Sequence, residues 1–318
     1  MIRALRPTDL PGLALFLRHA GGNEITAHTW PKVQPESGHL PFSQVVWQSL
    51  GQPPMRGRAW VAEHGGAIVG LAAARARYGG LVWDVEHLHL ADVSDEVAGA
   101  LLDHVCDRAI FASARRVFMD TRADAFKVDV AQLTRFERYT TSSVYRIDAP
   151  FKPGKWEHFE GRPRLRADEQ ALFRLYNAAV PAVVRAAEAM SYEEWSALHR
   201  GRKRWTPSLV GDRHQFVWEL GEGLAGWLEV VYGQKSQFIE LLVDAKYESL
   251  LDRFIAYGVK QVSEKAAVYS TVREYQPGLA AGLERVGFNL VGRNNMYVRQ
   301  LTERVLERKL VPAKVLGG

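Results

Sequence analysis

Apolar and polar positions along this chain run through the same order twice. Each round opens with a short apolar–basic strand and a helix. These are residues 2–6 and 9–19 in the first round, and 164–166 and 168–179 in the second. In both, a Leu-Arg pair is followed within three residues by an aspartate able to cap the helix. A less regular stretch then gives way to a hairpin with glycine at its turn, over 59–71 and 215–227. Glycine supplies the positive φ that a tight hairpin requires. Next comes an apolar strand carrying a glutamate, Glu86 within 82–90 and Glu240 within 237–243.

The spacing then predicts helices over about 97–112 and 247–263. Leu101, Leu102, Val105 and Ala109 share one helical face, and Leu250, Leu251, Phe254 and Ile255 another. A strand follows (116–121 and 267–272), then a short helix and a last strand, ending at Ile147 and Val298. The offset between matching blocks drifts from about 160 to about 150, as in a duplicated unit with loops of different length. Pro150, Pro153, Gly154, Gly161 and Pro163 interrupt regular structure near the middle. The expected organisation is a unit over 1–149, a linker over 150–161, a unit over 162–302 and a tail over 303–318. The fold class is α/β (α+β), with two tandem units, each a mixed, mostly antiparallel sheet flanked by helices.

Length agrees, since 318 residues suit two units of about 150. A composition of 47% apolar, 24% charged and 10% aromatic residues excludes a mainly disordered or low-complexity chain. Cys106 is the single cysteine, which excludes an intramolecular disulfide framework and a cysteine-rich metal site. No apolar run reaches 18 residues, and Met1–Pro7 does not read as a signal peptide, so a reducing cytoplasm is the expected setting. A net charge of +5 suits an anionic ligand without demanding nucleic acid.

Three local patterns carry a resemblance. They are the opening Ile2-Arg3-Ala4-Leu5-Arg6-Pro7-Thr8-Asp9, the strand motif Glu86-x-Leu88-x-Leu90, and the closing Leu283-Glu284-Arg285-Val286-Gly287-Phe288. Together with the element order they resemble the GNAT superfamily of N-acetyltransferases, twice over and across almost the whole chain. The resemblance implies acetyl-CoA as co-substrate, lying in a V-shaped gap between two central strands. Its pyrophosphate would rest on N–H groups at a helix N-terminus, where the dipole favours anions. The matching positions are Leu90, Ala98 and Gly99 in the first half, and Leu242, Val243, Lys246 and Tyr247 in the second. The implied acceptor is a small-molecule amine or a protein amine.

The pyrophosphate loops depart from the family pattern Arg/Gln-x-x-Gly-x-Gly/Ala. The first half has Val93, Glu96 and Ala98 there, with Asp92, Asp95 and Glu96 supplying carboxylates that repel phosphate. The second has Asp244-Ala245-Lys246-Tyr247-Glu248-Ser249, without glycine and with Lys246 as its only cation. Lys246 tips the choice of cofactor-binding half to the second.

Acetylation of an amine needs a base for the ammonium and an acid for the leaving thiolate. Glu86 and Glu240 stand at the family's strand position for the base. Alternation places Asp84 on the face of Glu86, about 6–7 Å away, close enough to raise one carboxyl pKa. Tyr275 is a candidate acid, and Tyr139, read at the end of a helix from Gln132, is another. His87 and His89 are expected on the opposite face from Glu86. No spacing implies a third ligand beside them, so no metal is expected. Cys106 belongs to an apolar helical face and reads as core rather than nucleophile.

The run Arg200-Gly201-Arg202-Lys203-Arg204-Trp205 is suited to a phosphate. For residues 20–57, with Trp30 and Trp47, the resemblance implies a cover over the acceptor, and 301–310 read as a packed helix. Three readings follow: a tandem acyl-CoA-dependent N-acyltransferase acting by direct attack, an inactive protein of that fold that binds a small molecule or another protein, and, weakest because no nucleic-acid-reading motif is present, nucleic-acid binding through the basic run. Fold does not decide between them; the site must.

Overall fold

A computed structural model describes residues 1–20, 24–25, 57–77, 80–91, 94–122, 134–151, 160–188, 191–200, 212–233 and 236–301. Trp30, Trp47, Asp92, Val93, the basic run after Arg200 and the tail beyond Leu301 lie outside the described residues.

The first half runs β1 (Ile2–Ala4), α1 (Leu10–Ala20), β2 (Glu24–Ile25), β3 (Gly57–His64), β4 (Ala67–Arg77), β5 (Val82–Leu90), α2 (Asp95–Phe111), β6 (Arg116–Arg122) and β7 (Glu137–Ile147). The second runs β8 (Arg162–Pro163), α3 (Glu169–Ala179), α4 (Ala182–Glu188), α5 (Tyr192–Arg200), β9 (Arg213–Leu220), β10 (Gly223–Tyr232), β11 (Ser236–Val243), α6 (Leu251–Lys260), β12 (Ala267–Arg273), α7 (Pro277–Val286) and β13 (Asn289–Gln300). The hairpin turns fall at the expected glycines, with Gly65, Gly66 and Gly221 at positive φ.

The strands join in one 13-stranded sheet, ordered β1-β3-β4-β5-β6-β13-β7-β12-β11-β10-β9-β8, with β2 paired to β5 off this path. Read from either end, this order visits equivalent strands. The two halves exchange their last strands: β13 pairs with β6 of the first half, and β7 with β12 of the second. β7 and β13 then pair antiparallel with each other at the centre. The two halves therefore make one continuous sheet whose strand order repeats outward from the antiparallel β7–β13 pair.

Helices cover both faces. α2 lies on a core of Trp60, Leu88, Leu101, Leu102, Val105 and Phe136, and α6 and α7 on one of Leu228, Ile239, Phe254, Ile255 and Leu283. On the other face α1 packs against Val61, Leu71 and Ala73, and α3–α5 against Val217 and Leu224. At Gly70 a Cβ would lie 2.8 Å from Leu101 Cδ1 and 3.0 Å from Val97 Cγ1, so only glycine lets α2 sit this close on β4.

The opening corner is built twice from the same chemistry. Arg3 donates to both Asp9 oxygens at 2.6 and 2.8 Å and bridges to Glu63. Arg162 does so to Asp168, both at 2.8 Å, and bridges to Glu219. Each aspartate also accepts a backbone N–H, from Arg6 and Leu165 respectively, at 2.7 Å. The side-chain bonds from Arg3 and Arg162 are the main reason that both carboxyls are held below the usual carboxylate range. The second corner thus sits two residues upstream of the strand read at 164–166.

Two other expectations shift. The helix expected from 247 begins as a 3-10 turn, Ala245–Leu250, with the α-helix proper from Leu251. Tyr139 lies on strand β7, not on a helix. The counterpart of Gly287-Phe288 is Arg135-Phe136. Arg135 adopts φ 55° where Gly287 adopts 104°, and both phenylalanines are buried.

Candidate active site

In each half one parallel strand pair separates into a fork. β5 and β6 pair only at Val82↔Arg116, Trp83↔Val117 and Asp84↔Phe118. β11 and β12 pair from Ser236↔Ala267 to Ile239↔Ser270. Along their other edges the outer arms pair with the exchanged strands, β6 with β13 from Arg116 to Arg122 and β12 with β7 from Val268 to Arg273. The inner arms, β5 and β11, stay with β4 and β10. Each fork exposes a stretch of strand edge whose N–H and C=O groups need partners.

The first fork carries a β-bulge. Ala73 opposes His87 while Ala74 opposes Val85, so Glu86 is an extra residue on β5. The bulge reverses the parity of the strand. Trp83, Val85, Leu88 and Leu90 all face the α2 core. Asp84 and His89 oppose Arg75 and Leu71, and His87 opposes Ala73, on the α1 side. His87 and His89 therefore share the face of Asp84, stacked with ring centroids 5.9 Å apart. The expectation that the histidines lie on the opposite face rested on unbroken alternation. Glu86 is buried and pairs with Arg75 at 3.2 Å. Burial pushes the His89 imidazole down to about 4. The edge of β5 beyond the bulge is taken by β2, with Glu24 opposite His89 and Ile25 opposite Leu88.

The second fork has no bulge on β11. Glu240 stands directly opposite Glu229, in the register that His87 and Ala73 occupy in the first half. The strands holding Glu86 and Glu240 are equivalent, as expected, but the residue at Glu240's own position is His87. Glu229 is buried and accepts from Gln215 at 2.7 Å and Arg213 at 3.2 Å. No strand pairs with the outer edge of residues 240–243 among the described residues. The side chain of Gln276 reaches the Leu241 carbonyl at 3.5 Å.

Tyr275 follows β12 and packs with Tyr139, Trp227 and Leu242 against the α3–α5 core. Burial pushes its hydroxyl well above the usual tyrosine range; Arg273 opposes this, and the charges of Glu188 and Glu240 add to it. Arg273, at the end of β12, bridges to Glu188 at 3.3 Å. Glu188 also accepts from Tyr139 at 3.3 Å and Tyr176 at 3.4 Å. Burial disfavours the Arg273 charge, but Glu188, Tyr139, Tyr275 and Asp120 outweigh it and hold the guanidinium ionised. The group draws on both halves, since Tyr139 and Asp120 come from the first. Glu240 and Tyr275 are thus brought to one place, while Asp84 and Glu86 lie together at the other fork. The Arg273–Glu188 pair gave no sequence signal, because Glu188 comes from the least patterned stretch of the second half.

The helix starts beside the forks differ. Ser94 caps α2 by accepting from the Val97 N–H at 3.3 Å, with Asp95 and Glu96 in the first turn. Ala98 and Gly99 are buried within that helix, and Leu90 is buried below it. In the second half the Asp244 side chain accepts the Lys246 N–H at 3.0 Å, and its carbonyl accepts from Tyr247 N–H at 2.8 Å. The Tyr247 hydroxyl anchors the turn on the Leu220 carbonyl at 2.9 Å, leaving Lys246 exposed. Leu242 and Val243 are half-buried at the open edge.

Two forked parallel pairs, each followed by a helix, are the decisive feature. The chain has the GNAT fold. It is similar over 95% of its length to a GCN5-related N-acetyltransferase from Sphaerobacter thermophilus (17% identity, 95% of that chain, TM-score 0.55). A tandem GNAT protein from the clavulanic acid biosynthesis pathway matches over 95% of this chain and 98% of its own (14% identity, TM-score 0.51). Saccharomyces cerevisiae N-myristoyltransferase, solved with bound myristoyl-CoA, matches over 94% and 80% (9% identity, TM-score 0.51). No protein-family model and no curated protein matches the sequence. Among the described residues a strand, β2, lies on the inner arm of the first fork and none lies on that of the second.

No group of three or more His, Cys, Asp or Glu side chains among the described residues is placed to hold a metal ion. No helix among them is long and apolar enough to cross a membrane. Cys106 is fully buried on α2, and burial pushes its thiol up to about 12.

Proposed function

We propose that the chain is an acyl-CoA-dependent N-acyltransferase with its working site at the second fork. The units are residues 1–149 and 162–302, joined by 150–161. The observation that carries this reading is the meeting of Glu240, Tyr275 and the Arg273–Glu188 pair beside the edge of residues 240–243, which no strand pairs among the described residues.

An acyl-CoA suits that edge because its pantetheine arm carries peptide-like amides. The backbone of residues 240–243, with the Leu242 and Val243 side chains and the turn at Lys246 and Tyr247, would hold it. Bound there, it supplies the acyl group as an activated thioester. Glu240 takes the proton that an acceptor ammonium must lose before it can attack. Tyr275, kept protonated by its burial, donates to the leaving group. Glu240, beside Tyr275, supplies negative charge that would draw a cationic amine. Transfer is direct, because the buried Cys106 thiol is not an available nucleophile. A lone reduced cysteine fits a cytoplasmic setting.

Calorimetry with acetyl-CoA tests the reading. Saturable binding with Kd below about 100 μM, roughly 5–6 kcal/mol, is expected. Lys246→Glu should weaken it more than Asp95→Lys. No heat at millimolar ligand would favour the second reading, a GNAT-fold protein that binds a small molecule or a protein without turnover. The Asp244 cap favours that alternative, since it already uses the Lys246 N–H that a phosphate would seek.

A further inference from the structure

The first fork has the same construction as the second but a different occupant. Its inner arm, freed from β6 after Asp84, pairs antiparallel with two residues of the chain itself, Glu24 with His89 and Ile25 with Leu88. Main-chain pairing at a strand edge is how a groove binds an extended peptide. The neighbouring helix start is equipped against an anion. Its Val97 N–H is taken by Ser94, and Asp95 and Glu96 stand in its first turn, where they repel phosphate and satisfy the dipole themselves. The bulge at Glu86 and the Glu86–Arg75 pair fix the inner arm beside this edge.

We propose that the first fork is a peptide-strand site, filled in cis by Glu24–Ile25, and that it takes an extended peptide backbone in preference to acyl-CoA. The site is separate from the second fork, so the two can be tested independently. Two full-length variants test it. In the first, Glu24→Cys with His89→Cys, the cysteines replace directly opposed residues. Opposed antiparallel Cα atoms lie about 4.5–5.5 Å apart, within disulfide reach. Mild oxidation should close this pair quantitatively, and failure to close in the folded protein would overturn the seating of β2.

The second variant, Glu24→Pro with Ile25→Pro, removes the N–H donors of the strand. A labelled synthetic peptide of residues 20–30, followed by fluorescence polarisation, should bind this variant at least about tenfold more tightly than the unaltered chain, equivalent to about 1.4 kcal/mol. It should not bind the cross-linked protein. Acetyl-CoA stoichiometry should be the same in all three proteins. Equal peptide binding to variant and unaltered chain, or one additional acetyl-CoA site in the proline variant, would overturn the proposal. If the proline variant does not fold, the cross-linked protein decides: loss of acetyl-CoA binding on closure would place acyl-CoA in the first fork. Absence of acetyl-CoA binding from every protein would remove the proposed function and leave the peptide result standing.

Discussion

The two forks share one construction, yet they differ on the inner arm, at the edge and in their surroundings. On the inner arm, the first has a bulge and His87 where the second has regular pairing and Glu240. At the fork edge, the first holds β2 while the second receives the side chain of Gln276 and no strand among the described residues. In their surroundings, the first buries Asp84, Glu86, His87 and His89. The second gathers Arg273, Glu188, Tyr139, Tyr176 and Tyr275 from both halves. The two halves share the frame, down to the Arg-Asp-Glu corners, while the fork edges differ. Strand exchange completes each half with a strand of the other, so the frame does not depend on what lies at either fork edge.

The largest effect expected is from separating the halves. Residues 1–149 alone leave β6 and β7 without β13, and Phe151, just beyond, belongs to the core of the second half. That fragment should show no cooperative thermal transition as a monomer, and co-expression with 150–318 should restore one. A stably folded monomeric 1–149 would break the account of exchange.

His89 gives the next largest effect. Its folded pKa of about 4 lies below the ordinary 6.5, so the native state favours the neutral ring. The stability it contributes is complete above pH 6.5 and is lost as pH falls from 6.5 to 4, by about 3 kcal/mol. Denaturant unfolding at pH 7 and pH 4.5 should show that loss, and His89→Gln should remove most of it. An unchanged slope in the variant would mean that this half does not bury its histidine as described.

Turnover then separates the forks. Glu240→Gln should lower it by about 10²-fold, as expected for loss of a general base. Glu86→Gln, held by Arg75 at the other fork, should change it only a few fold. Equal losses would erase the distinction between a working and a structural fork.

The smallest effect tests what the halves share. Arg3→Met and Arg162→Met should each cost about 1–2 kcal/mol at pH 7, modest because both corners are partly solvated. Asp9 and Asp168 have depressed folded pKa values, so this contribution exists above about pH 4 and disappears as pH falls through the folded value. Unequal costs would show that the corners are no longer equivalent.

Much of the fold could be read from local pattern. The glycine turns, the Leu-Leu helices and the strand bearing Glu86 follow from periodicity, which acts over a few residues. Strand exchange could not be read this way, because β7 and β13 satisfy the same alternation whichever half they join. The bulge also escaped, since an inserted residue in an apolar strand leaves alternation locally plausible while reversing the face of His87 and His89. Arg135 hid the counterpart of Gly287 because it takes a positive φ without being glycine. At the site, Glu240 and Tyr275 were visible as residue types at suggestive places. Their partner Arg273–Glu188 depends on a contact between a strand end and a helix end far apart in sequence, which no short-range pattern encodes.

The central claim is that an acyl-CoA ligand enters the second fork and not the first. Amide hydrogen exchange, followed by mass spectrometry with and without saturating acetyl-CoA, tests this directly. The account predicts slowed exchange over residues 240–247, with residues 86–90 unchanged. Protection confined to 86–90 would contradict it.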